Sequence, residues 1–491
     1  MPANLLLSLG SAGVALFFLG QTEISRVVPL AFGLLSLWQL RCAMERRAQF
    51  PIILRLGGFS WDMHSFCRGW LITGQIGTGK TAAAINTMLW QVTKNCPTWG
   101  GVCVDDKGLY WETLSAMLGH QGRADDLILL QVRPENAASD WKPVHTFNFL
   151  DNPHLTDSAK AKIICDVAAA MGQRTEQSFF RMQAQVQMEF AFKAIRCAGL
   201  NVTLAKTYDF LSSKSLLDEI MEMIAKEDSP EAESLLSHFQ SHLEAQPAEQ
   251  LGGVKTTVAN YLKHFTEPDI ADVFSPRKST FNFDDIDRGK IICVSIPQRF
   301  AVERRYINTL LKLTFYAHAL RRFDQPAVKR AGDNLIIFWA DEAQKIVTAS
   351  EDGMSDYNVV DVLREARATV VAATQSYASL VPPMGDEKKA KVFIANMANR
   401  ITFCAADEES AKIAADTLGK RKSRRRTVGY SGGKRSNSYT EEDRYFLEPY
   451  ELRRLRKFQA VVQHCDFGFR KVTIPALGTD GRVPSWYREI S

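Results

Sequence analysis

Hydrophobic positions along the chain form short apolar runs separated by amphipathic segments. The runs at residues 69–73, 335–340 and 369–374 consist mainly of apolar and β-branched side chains, and polar residues follow each of them. Runs of this length without alternation are typical of strands buried on both faces, as in a parallel sheet. Residues 82–91, after the first run, have a helical composition. The pattern predicts an α/β fold with a mostly parallel central sheet.

The middle of the chain has a different pattern. Residues 157–274 lack strong strand-like runs, and three segments within them place apolar side chains at helical spacing, namely 179–198, 216–227 and 231–243. We therefore predict an all-helical domain inserted into the α/β domain. The predicted division is 1–48 for an N-terminal anchor, 49–155 for the first part of the α/β domain, 156–275 for the insertion and 276–491 for the second part.

The N-terminus contains two strongly apolar segments, 4–20 and 27–40. A membrane-spanning helix needs about 20 apolar residues, so the first segment qualifies and the second must recruit residues 24–26. Arg41, Arg46 and Arg47 follow the second segment, which places the rest of the chain in the cytoplasm. We expect a transmembrane helical hairpin. The alternatives are two buried or interfacial helices, or a signal peptide, which the absence of Lys and Arg before the first segment disfavours.

Composition narrows the class of protein. The chain has 491 residues, of which 46% are hydrophobic and 23% charged, so it is not a disordered, collagen-like or polytopic membrane protein. Its length predicts two or three domains. Nine cysteines include no C-x-x-C pair, so a disulfide framework or a zinc site is not expected and the bulk of the chain should face a reducing cytosol.

A phosphate-binding loop follows the first apolar run. Its pattern is G-x-x-x-x-G-K-[ST] between a predicted strand and a predicted helix, the setting that this motif requires. Its glycines let backbone N–H groups surround phosphate oxygens. Lys80 would reach the β- and γ-phosphates of ATP, and the Thr81 hydroxyl would ligate Mg²⁺. The predicted nucleotide-binding residues are Gly74, Gln75, Ile76, Gly77, Thr78, Gly79, Lys80 and Thr81.

Polar residues also end the other two predicted strands. Asp341 and Glu342 follow 335–340, where ligands bind in open α/β sheets. Asp341 would hold Mg²⁺ through water, and Glu342 would orient or deprotonate the attacking water. An acidic helix cap is the structural alternative. Gln375, which ends 369–374, would sense the γ-phosphate or simply cap its strand. Arg364 would end a solvated helix or enter a neighbouring subunit's site in a ring ATPase.

The order of these motifs resembles the type IV secretion coupling proteins, the TraG/TraD group of conjugation ATPases. The similarity covers most of the chain and includes Asp105-Asp-Lys107-Gly108, KIICVSIPQ, LREARATVVAATQS, NRITFCAADEESAKIAADTLGK and FLEPYELRRL. Leu109 departs from the glutamate usual in the first of these motifs, which therefore receives only a structural role.

The resemblance implies a RecA-like P-loop ATPase that assembles as a homo-oligomeric ring, a hexamer. It implies that Arg364 is a trans-acting arginine finger and Gln375 the γ-phosphate sensor, both catalytic with Lys80 and Glu342. The implied partners are single- or double-stranded DNA, relaxosome or effector proteins, type IV secretion channel components and the bacterial inner membrane, which the N-terminal anchor would span. A docking receptor for protein effectors and a soluble chromosome-type DNA translocase are the alternative functions.

One basic segment holds the excess positive charge of the chain. Residues 420–435 contain eight Lys and Arg and no acidic residue. Because like charges repel, we predict a mobile loop. DNA phosphates are the partner that such a run favours, while anionic lipid, a protein partner or no specific partner remain alternatives. The predicted DNA-binding residues are Lys420, Arg421, Lys422, Arg424, Arg425 and Arg426.

Overall fold

The computed structural model describes residues 51–172, 178–245, 247–350, 353–431 and 434–490. Its strands are β1 Leu54–Leu56, β2 Phe59–Trp61, β3 Trp70–Thr73, β4 Gly100–Val104, β5 Leu127–Gln131, β6 Ile291–Ser295, β7 Ile336–Ala340, β8 Ala368–Thr374, β9 Asn399–Thr402, β10 Lys420–Ser431, β11 Lys434–Tyr445, β12 Gln459–His464 and β13 Gly468–Thr473.

The described helices of six residues or more are α1 Asn86–Asn95, α2 Tyr110–His120, α3 Asp157–Ala170, α4 Ser178–Cys197, α5 Leu204–Ser212, α6 Lys214–Ile224, α7 Pro230–Ala245, α8 Ala248–Leu262, α9 Pro268–Phe274, α10 Ala301–Arg321, α11 Glu387–Asn396, α12 Glu408–Leu418 and α13 Ser485–Ile490. Shorter helical turns occur at Met63–Phe66, Ala327–Arg330, Asp356–Val359, Val381–Met384 and Pro449–Leu452.

Nine strands form one large sheet in the order β13-β12-β9-β3-β8-β7-β4-β6-β5. The seven strands from β9 to β5 run parallel, while β12 and β13 add an antiparallel edge. This confirms the predicted α/β fold with a mostly parallel sheet, and the three predicted strands correspond to β3, β7 and β8. Their carboxyl ends therefore meet at a single edge of the sheet, which we call the carboxyl edge.

The central strands are buried on both faces of the sheet. Every residue of β3, β4, β7 and β8 is buried, which explains their continuous apolar runs. Gly101 in β4 permits a close approach of backbones: a Cβ there would lie 1.9 Å from the carbonyl oxygen of Ile337 in β7. The glycine is therefore required for the register of the two strands that end at Asp105 and Asp341.

Seven helices, α3 to α9, fill the segment between β5 and β6. Helices α4 to α7 pack around a separate apolar cluster that includes Ile195, Phe210, Ile220 and Phe239, all buried. Helix α3 instead packs against α10 and shares the main core with the sheet. The exact domain boundaries at 48/49, 155/156 and 275/276 stay predictions.

The basic segment is a hairpin and not the predicted mobile loop. Strands β10 and β11 pair antiparallel over twelve residues each, in a two-stranded sheet of their own. The prediction was wrong because the window 420–435 excluded the return strand. Glu441 and Asp443 in β11 lie opposite Arg424 and Lys422 of β10, and opposite charges across a strand pair stabilise it.

The predicted multi-pass location in the inner membrane is also corrected. In the part of the chain that the structure describes, no helix is long and apolar enough to cross a membrane. The longest of these helices, α10, carries Glu303, Arg304, Arg305, Lys312 and Arg321 along its 21 residues, and such charges are costly in a bilayer core. The two apolar segments behind the prediction, 4–20 and 27–40, lie outside the described residues.

Candidate functional site

The loop after β3 has the backbone conformation that a phosphate-binding loop needs. Gly74, Gly77 and Gly79 have φ values of 151°, 79° and 110°, which side chains with a Cβ rarely adopt. At two of these positions there is also no space, since a Cβ on Gly74 would lie 2.6 Å from Cβ of Phe403 and one on Gly79 would lie 2.6 Å from Cδ1 of Phe458. These three positions therefore have to be glycine for the loop to keep this shape.

Lys80 begins the helix that follows the loop, and its first turn, Lys80–Ile85, is π-helical. The buried side chain folds back over the loop, where Nζ donates to the carbonyl oxygens of Gly74 at 2.6 Å and Gln75 at 3.3 Å. Burial lowers the pKa of Lys80, and the carboxylates of Glu342 and Asp341 oppose that shift. The ammonium group thus lies inside the loop and beside two acidic groups.

Thr81 connects the loop to the neighbouring acidic strand end. Its Oγ1 donates to Oδ2 of Asp341 at 2.9 Å, so the two predicted metal ligands are in direct contact. Burial raises the pKa of Asp341, the Thr81 hydrogen bond lowers it, and the charge of Glu342 raises it further. Asp341 is therefore a partly buried carboxylate whose negative charge is only partly compensated by neighbouring groups.

Glu342 has a strained backbone and a well-ordered set of side-chain partners. It adopts φ 55° and ψ 45°, a left-handed conformation that costs free energy in a residue with a Cβ and is often found at functional sites. Its carboxylate accepts from Nε2 of Gln375 at 3.3 and 3.2 Å. It also accepts a hydrogen bond from the side-chain amide of Gln344. Two amides therefore fix the orientation of the carboxylate.

The oxygen atoms at this edge suit a hard divalent cation. Mg²⁺ prefers hydroxyl and carboxylate oxygens, which Thr81 and Asp341 supply at hydrogen-bonding distance from each other. Asp105, at the end of β4, adds a third carboxylate: burial raises its pKa, and Asp341 raises it as well. Its Oδ1 is buried without a hydrogen-bond partner within the described residues. A divalent cation would relieve the repulsion among these acids.

The structure does not bring Arg364 to this edge. Arg364 lies in the turn Leu363–Ala366 before β8, whereas Gln375 follows the end of β8. A strand of seven residues spans about 23 Å, so the guanidinium lies at the opposite, amino edge of the sheet from Lys80. Its side chain is 37% exposed and its nearest ion-pair partner is Glu365, at 3.9 Å. Arg364 thus has access to solvent and none to the nucleotide-binding loop of its own chain.

Three residues with roles at the site were missed by sequence reasoning. Gln344 contacts Glu342. Its position two residues after Glu342 was the only feature of the sequence that could have indicated this contact. Asp105 was given only a structural role, although the position of its motif after a buried strand placed it at the same edge. Arg305 donates from Nε to the carbonyl oxygen of Lys345 at 2.5 Å, and nothing in the helical segment around it distinguished it.

A cavity of about 520 Å³ opens beside the acidic residues. Gln344, Gln375 and Arg305 line it, together with residues 170–172 at the end of α3. The larger cavity of about 870 Å³ lies elsewhere, between residues 147–154 and 277–284. The smaller one is the relevant cavity, because it borders the side chains that hold Glu342.

One other cluster in the described chain has the composition of a metal site, His464, Cys465 and Asp466. Nε2 of His464 lies 3.2 Å from the carbonyl oxygen of Ser60, and Nδ1 accepts from the backbone N–H of Asp466 at 3.0 Å. Asp466 in turn pairs with Arg68 at 2.8 Å. Both ring nitrogens are therefore engaged, and the cluster is a structural hydrogen-bond network.

Comparison with known proteins identifies one family. The family model described as the type IV secretion-system coupling protein DNA-binding domain matches residues 53–475. This range includes every residue at the carboxyl edge described above, the Arg364 turn and the hairpin. No curated protein matches the chain.

Solved structures share the fold at low sequence identity. The bacterial conjugative coupling protein TrwBdeltaN70 in its unbound monoclinic form has a TM-score of 0.60 at 15% identity, over 90% of this chain and 92% of that one. Its trigonal form in complex with sulphate gives 0.62 at 14%, over 88% and 91%. The plasmid coupling protein TrwB in complex with ADP and Mg²⁺ gives 0.59 at 14%, over 87% and 90%. At such identities the similarity establishes the fold.

Proposed function

Because this chain belongs to the family of type IV secretion-system coupling proteins, we propose that it is a magnesium-dependent ATPase that couples DNA, or DNA–protein substrates, to a type IV secretion channel and powers their transfer. The substrate of hydrolysis is ATP. TrwB, which has the same fold, was solved with ADP and Mg²⁺, and this supports the choice of nucleotide and metal.

One observation carries the proposal: the phosphate-binding loop and the acidic pair meet through the 2.9 Å contact of Thr81 with Asp341. Lys80 and the loop amides would bind the phosphates, while Thr81 and Asp341 would hold Mg²⁺. The metal supplies charge stabilisation to the phosphoryl group. Glu342 would orient the attacking water and accept its proton at the carboxylate, and Gln375 would report on the γ-phosphate.

The position of Arg364 supports action in a neighbouring subunit. Its side chain is partly exposed at the amino edge of the sheet, so any nucleotide site that it serves belongs to another copy. A head-to-tail arrangement that presents one edge to the other generates a closed ring when its rotation closes. We therefore propose a homo-oligomeric ring, a hexamer, in which hydrolysis takes place at subunit interfaces and an isolated monomer is nearly inactive.

DNA and secretion proteins are the proposed partners. The hairpin β10–β11 carries the predicted DNA-binding residues and contains nine Lys and Arg against three Asp and Glu over 420–445, a balance that favours phosphate contact. The inserted helical domain packs around an apolar cluster of its own. We assign it the recognition of relaxosome or effector proteins, which would then be delivered to the channel components.

The test is ATP hydrolysis by the purified full chain with and without single- and double-stranded DNA. We expect turnover to rise several-fold with DNA, and the substitution Lys80→Ala to reduce it by about 100-fold or more, since one charge-stabilising donor contributes that much. Lys94→Ala, an exposed lysine in α1, is the matched control and should retain turnover. Absence of hydrolysis in the wild-type ring would overturn the proposal.

The same test can also favour the alternative function, a docking receptor. Turnover that is indifferent to DNA, together with tight binding of a relaxase or effector protein, would support the alternative of a docking receptor whose nucleotide serves mainly assembly. DNA binding that is absent in the wild-type chain at low salt would have the same consequence. Measurements on a single preparation of the protein therefore distinguish the two functions.

A further inference from the structure

The two faces of the β10–β11 hairpin differ in how their basic side chains are paired. In an antiparallel pair, residues directly opposite each other project to the same face, and the faces alternate along each strand. The register places Lys422 opposite Asp443 and Arg424 opposite Glu441, but Arg421 opposite Arg444. We call the face with Lys422 and Arg424 the paired face, and the face with Arg421 and Arg444 the arginine face.

Three of the cations on the paired face have partners on the opposite strand. Nε of Arg424 lies 3.1 Å from Oε1 of Glu441, and Arg426 donates from Nε and Nη2 to Oδ1 of Asn437 at 3.1 and 2.9 Å. Nζ of Lys420 lies 4.5 Å from the ring centroid of Tyr445. To bind an external anion, these side chains would have to give up an existing contact.

The arginine face is arranged differently. Arg421 and Arg444 lie directly opposite each other, and like charges in this position destabilise a strand pair. Arg444 has one acidic partner, Glu442, at 2.5 Å. Arg421 and Arg425 are exposed, and neither forms a hydrogen bond or ion pair with any residue that the structure describes. This face therefore presents guanidinium groups that are ready to bind an anion.

The root of the hairpin is fixed to the rest of the molecule, which gives the two faces a defined orientation. The hydroxyl of Tyr445 donates to Oδ1 of Asp416 in α12 at 3.0 Å, and the backbone N–H of Phe446 donates to the carbonyl oxygen of Gly419 at 3.1 Å. The ring of Phe446 packs against the ring of Phe469, with 5.8 Å between the ring centroids. A ribbon held in this way cannot rotate freely to exchange its faces.

We propose that the arginine face, and not the basic run as a whole, holds the sugar–phosphate backbone of DNA, with Arg421 and Arg425 as the principal contacts. This inference rests on the proposed function and makes it specific. Arg421 and Arg425 are four residues apart, or about 13 Å along the strand, which is close to the axial rise of four nucleotides in one strand of B-DNA at about 3.4 Å each. Guanidinium groups bind phosphate through two hydrogen bonds, and a phosphate near Arg421 and Arg444 would relieve their repulsion.

The test compares two double variants of the full chain that remove the same amount of charge from opposite faces. These are Arg421→Gln/Arg425→Gln on the arginine face and Lys422→Gln/Arg424→Gln on the paired face. Binding to labelled single-stranded and duplex DNA is measured by fluorescence anisotropy from about 50 to about 200 mM salt, the range over which phosphate contacts lose most affinity.

We expect the arginine-face variant to bind DNA at least tenfold more weakly at the lowest salt. The slope of the logarithm of its DNA affinity against the logarithm of salt concentration should become shallower by about 0.9 per lost contact on duplex DNA and by about 0.7 on single strands. The paired-face variant should stay within about threefold of wild type, because exposed ion pairs contribute little and its cations lie directly opposite Asp443 and Glu441. Since all four residues are exposed, melting curves should show that both variants fold.

Three results would overturn the inference. Equal losses in both variants would mean that net charge alone attracts DNA, and no loss in either would mean that the hairpin is not the DNA surface. Loss of binding to phosphatidylserine vesicles with unchanged DNA binding would also overturn it and point to anionic lipid. In each case the wild-type chain still binds DNA, whereas failure of the proposed function is recognised by a wild-type chain that neither binds DNA nor hydrolyses ATP.

Discussion

The side-chain amide of Gln375 donates to both carboxylate oxygens of Glu342, at 3.3 and 3.2 Å. The two residues follow adjacent parallel strands, β8 and β7, and their contact joins the predicted γ-phosphate sensor to the predicted catalytic base. To approach a phosphate oxygen, the Gln375 amide would have to turn away from the Glu342 carboxylate. A movement of Gln375 would therefore change the hydrogen bonding of Glu342.

The first prediction concerns the carboxylate of Glu342. Glu342→Gln should reduce ATP turnover by about 10²–10⁴-fold, since it removes the proton acceptor, and should leave the affinity for ADP with Mg²⁺ nearly unchanged because Lys80, Thr81 and Asp341 remain. Turnover and nucleotide affinity are measured separately on the same protein. Glu112→Gln, an exposed acid in the first turn of α2, is the control. A similar loss of nucleotide affinity would mean that Glu342 binds and does not catalyse.

The second prediction uses charge to test the Gln375 contact. Gln375→Glu places a second carboxylate against Glu342, and like charges in contact raise the pKa of one of them. The pH at which turnover reaches half its maximum should therefore move upward, whereas Gln375→Ala should lower turnover without that shift. The measurement is a pH profile of hydrolysis for both variants. An unchanged profile in Gln375→Glu would show that the two side chains do not interact in the active ring.

The third prediction concerns the contribution of a buried ion pair to stability. Lys312 in α10 forms a fully buried ion pair with Asp356, which also accepts from the hydroxyl of Tyr316 at 2.6 Å and the backbone N–H of Thr348 at 2.7 Å. Removing one charge leaves the other buried and unpaired, so Asp356→Ala should lower the free energy of unfolding by about 3–5 kcal/mol.

The matched control is the exposed pair Lys391–Glu387 on α11. Glu387→Ala should leave the unfolding midpoint unchanged, because solvent screens that pair. The difference between the unfolding midpoints is measured by denaturant unfolding of both variants, monitored through the signal of the sheet domain. Equal midpoints in the two variants would show that the buried pair does not stabilise the fold.

The fourth prediction is a pH dependence of stability. Burial alone would lower the pKa of His318, but its hydrogen bonds with Asp284 and Asp287 outweigh burial and raise it. His154, Arg321 and Arg322 also face these two acids. A histidine pKa that is raised on folding adds stability that is complete below the unfolded value of 6.5 and is lost as pH rises through the folded value.

The melting temperature should therefore fall as pH rises from about 6 to about 9, a range that brackets the titration of histidine. His318→Asn should flatten this part of the curve, and His120→Asn, an exposed histidine at the end of α2, should not. The same two acids stabilise the fold at the acidic end, because hydrogen bonds from His318 and charge from Arg322 lower the pKa of Asp287 to about 2 despite its burial. A melting temperature that rises with pH across neutrality would contradict the assignment.

The fifth prediction tests the trans role of Arg364. Lys80→Ala and Arg364→Ala subunits should each be inactive as uniform rings, and mixtures should recover some hydrolysis, because a hybrid interface pairs an intact loop with an intact arginine. Subunit mixing is verified by exchange of two fluorescent labels. No recovery in verified mixtures would mean that Arg364 does not complete a neighbour's site.

Sequence reasoning predicted the sheet because three of its strands are buried on both faces and end in residues with recognisable chemistry. The loop from Gly74 to Thr81, Asp341 with Glu342, and Gln375 each follow such a strand, and parallel topology then brings them together. Arg305 and Gln344 were not predicted, since an arginine in a helix and a glutamine after a turn are common everywhere. The hairpin was missed for a physical reason: its stabilising acids, 441–443, belong to the returning strand and lie outside the basic run.

The two-stranded hairpin also has a consequence for how the protein behaves in concentrated solution. Its β10 and β11 strands form no larger sheet, so both outer borders of a twelve-residue ribbon carry backbone groups that another chain could pair with. Lysine and arginine on such borders discourage that pairing by mutual repulsion. Replacing them with glutamine therefore weakens the barrier to aggregation, and a polyanion that neutralises several ribbons at once would bring molecules together into assemblies other than the proposed ring.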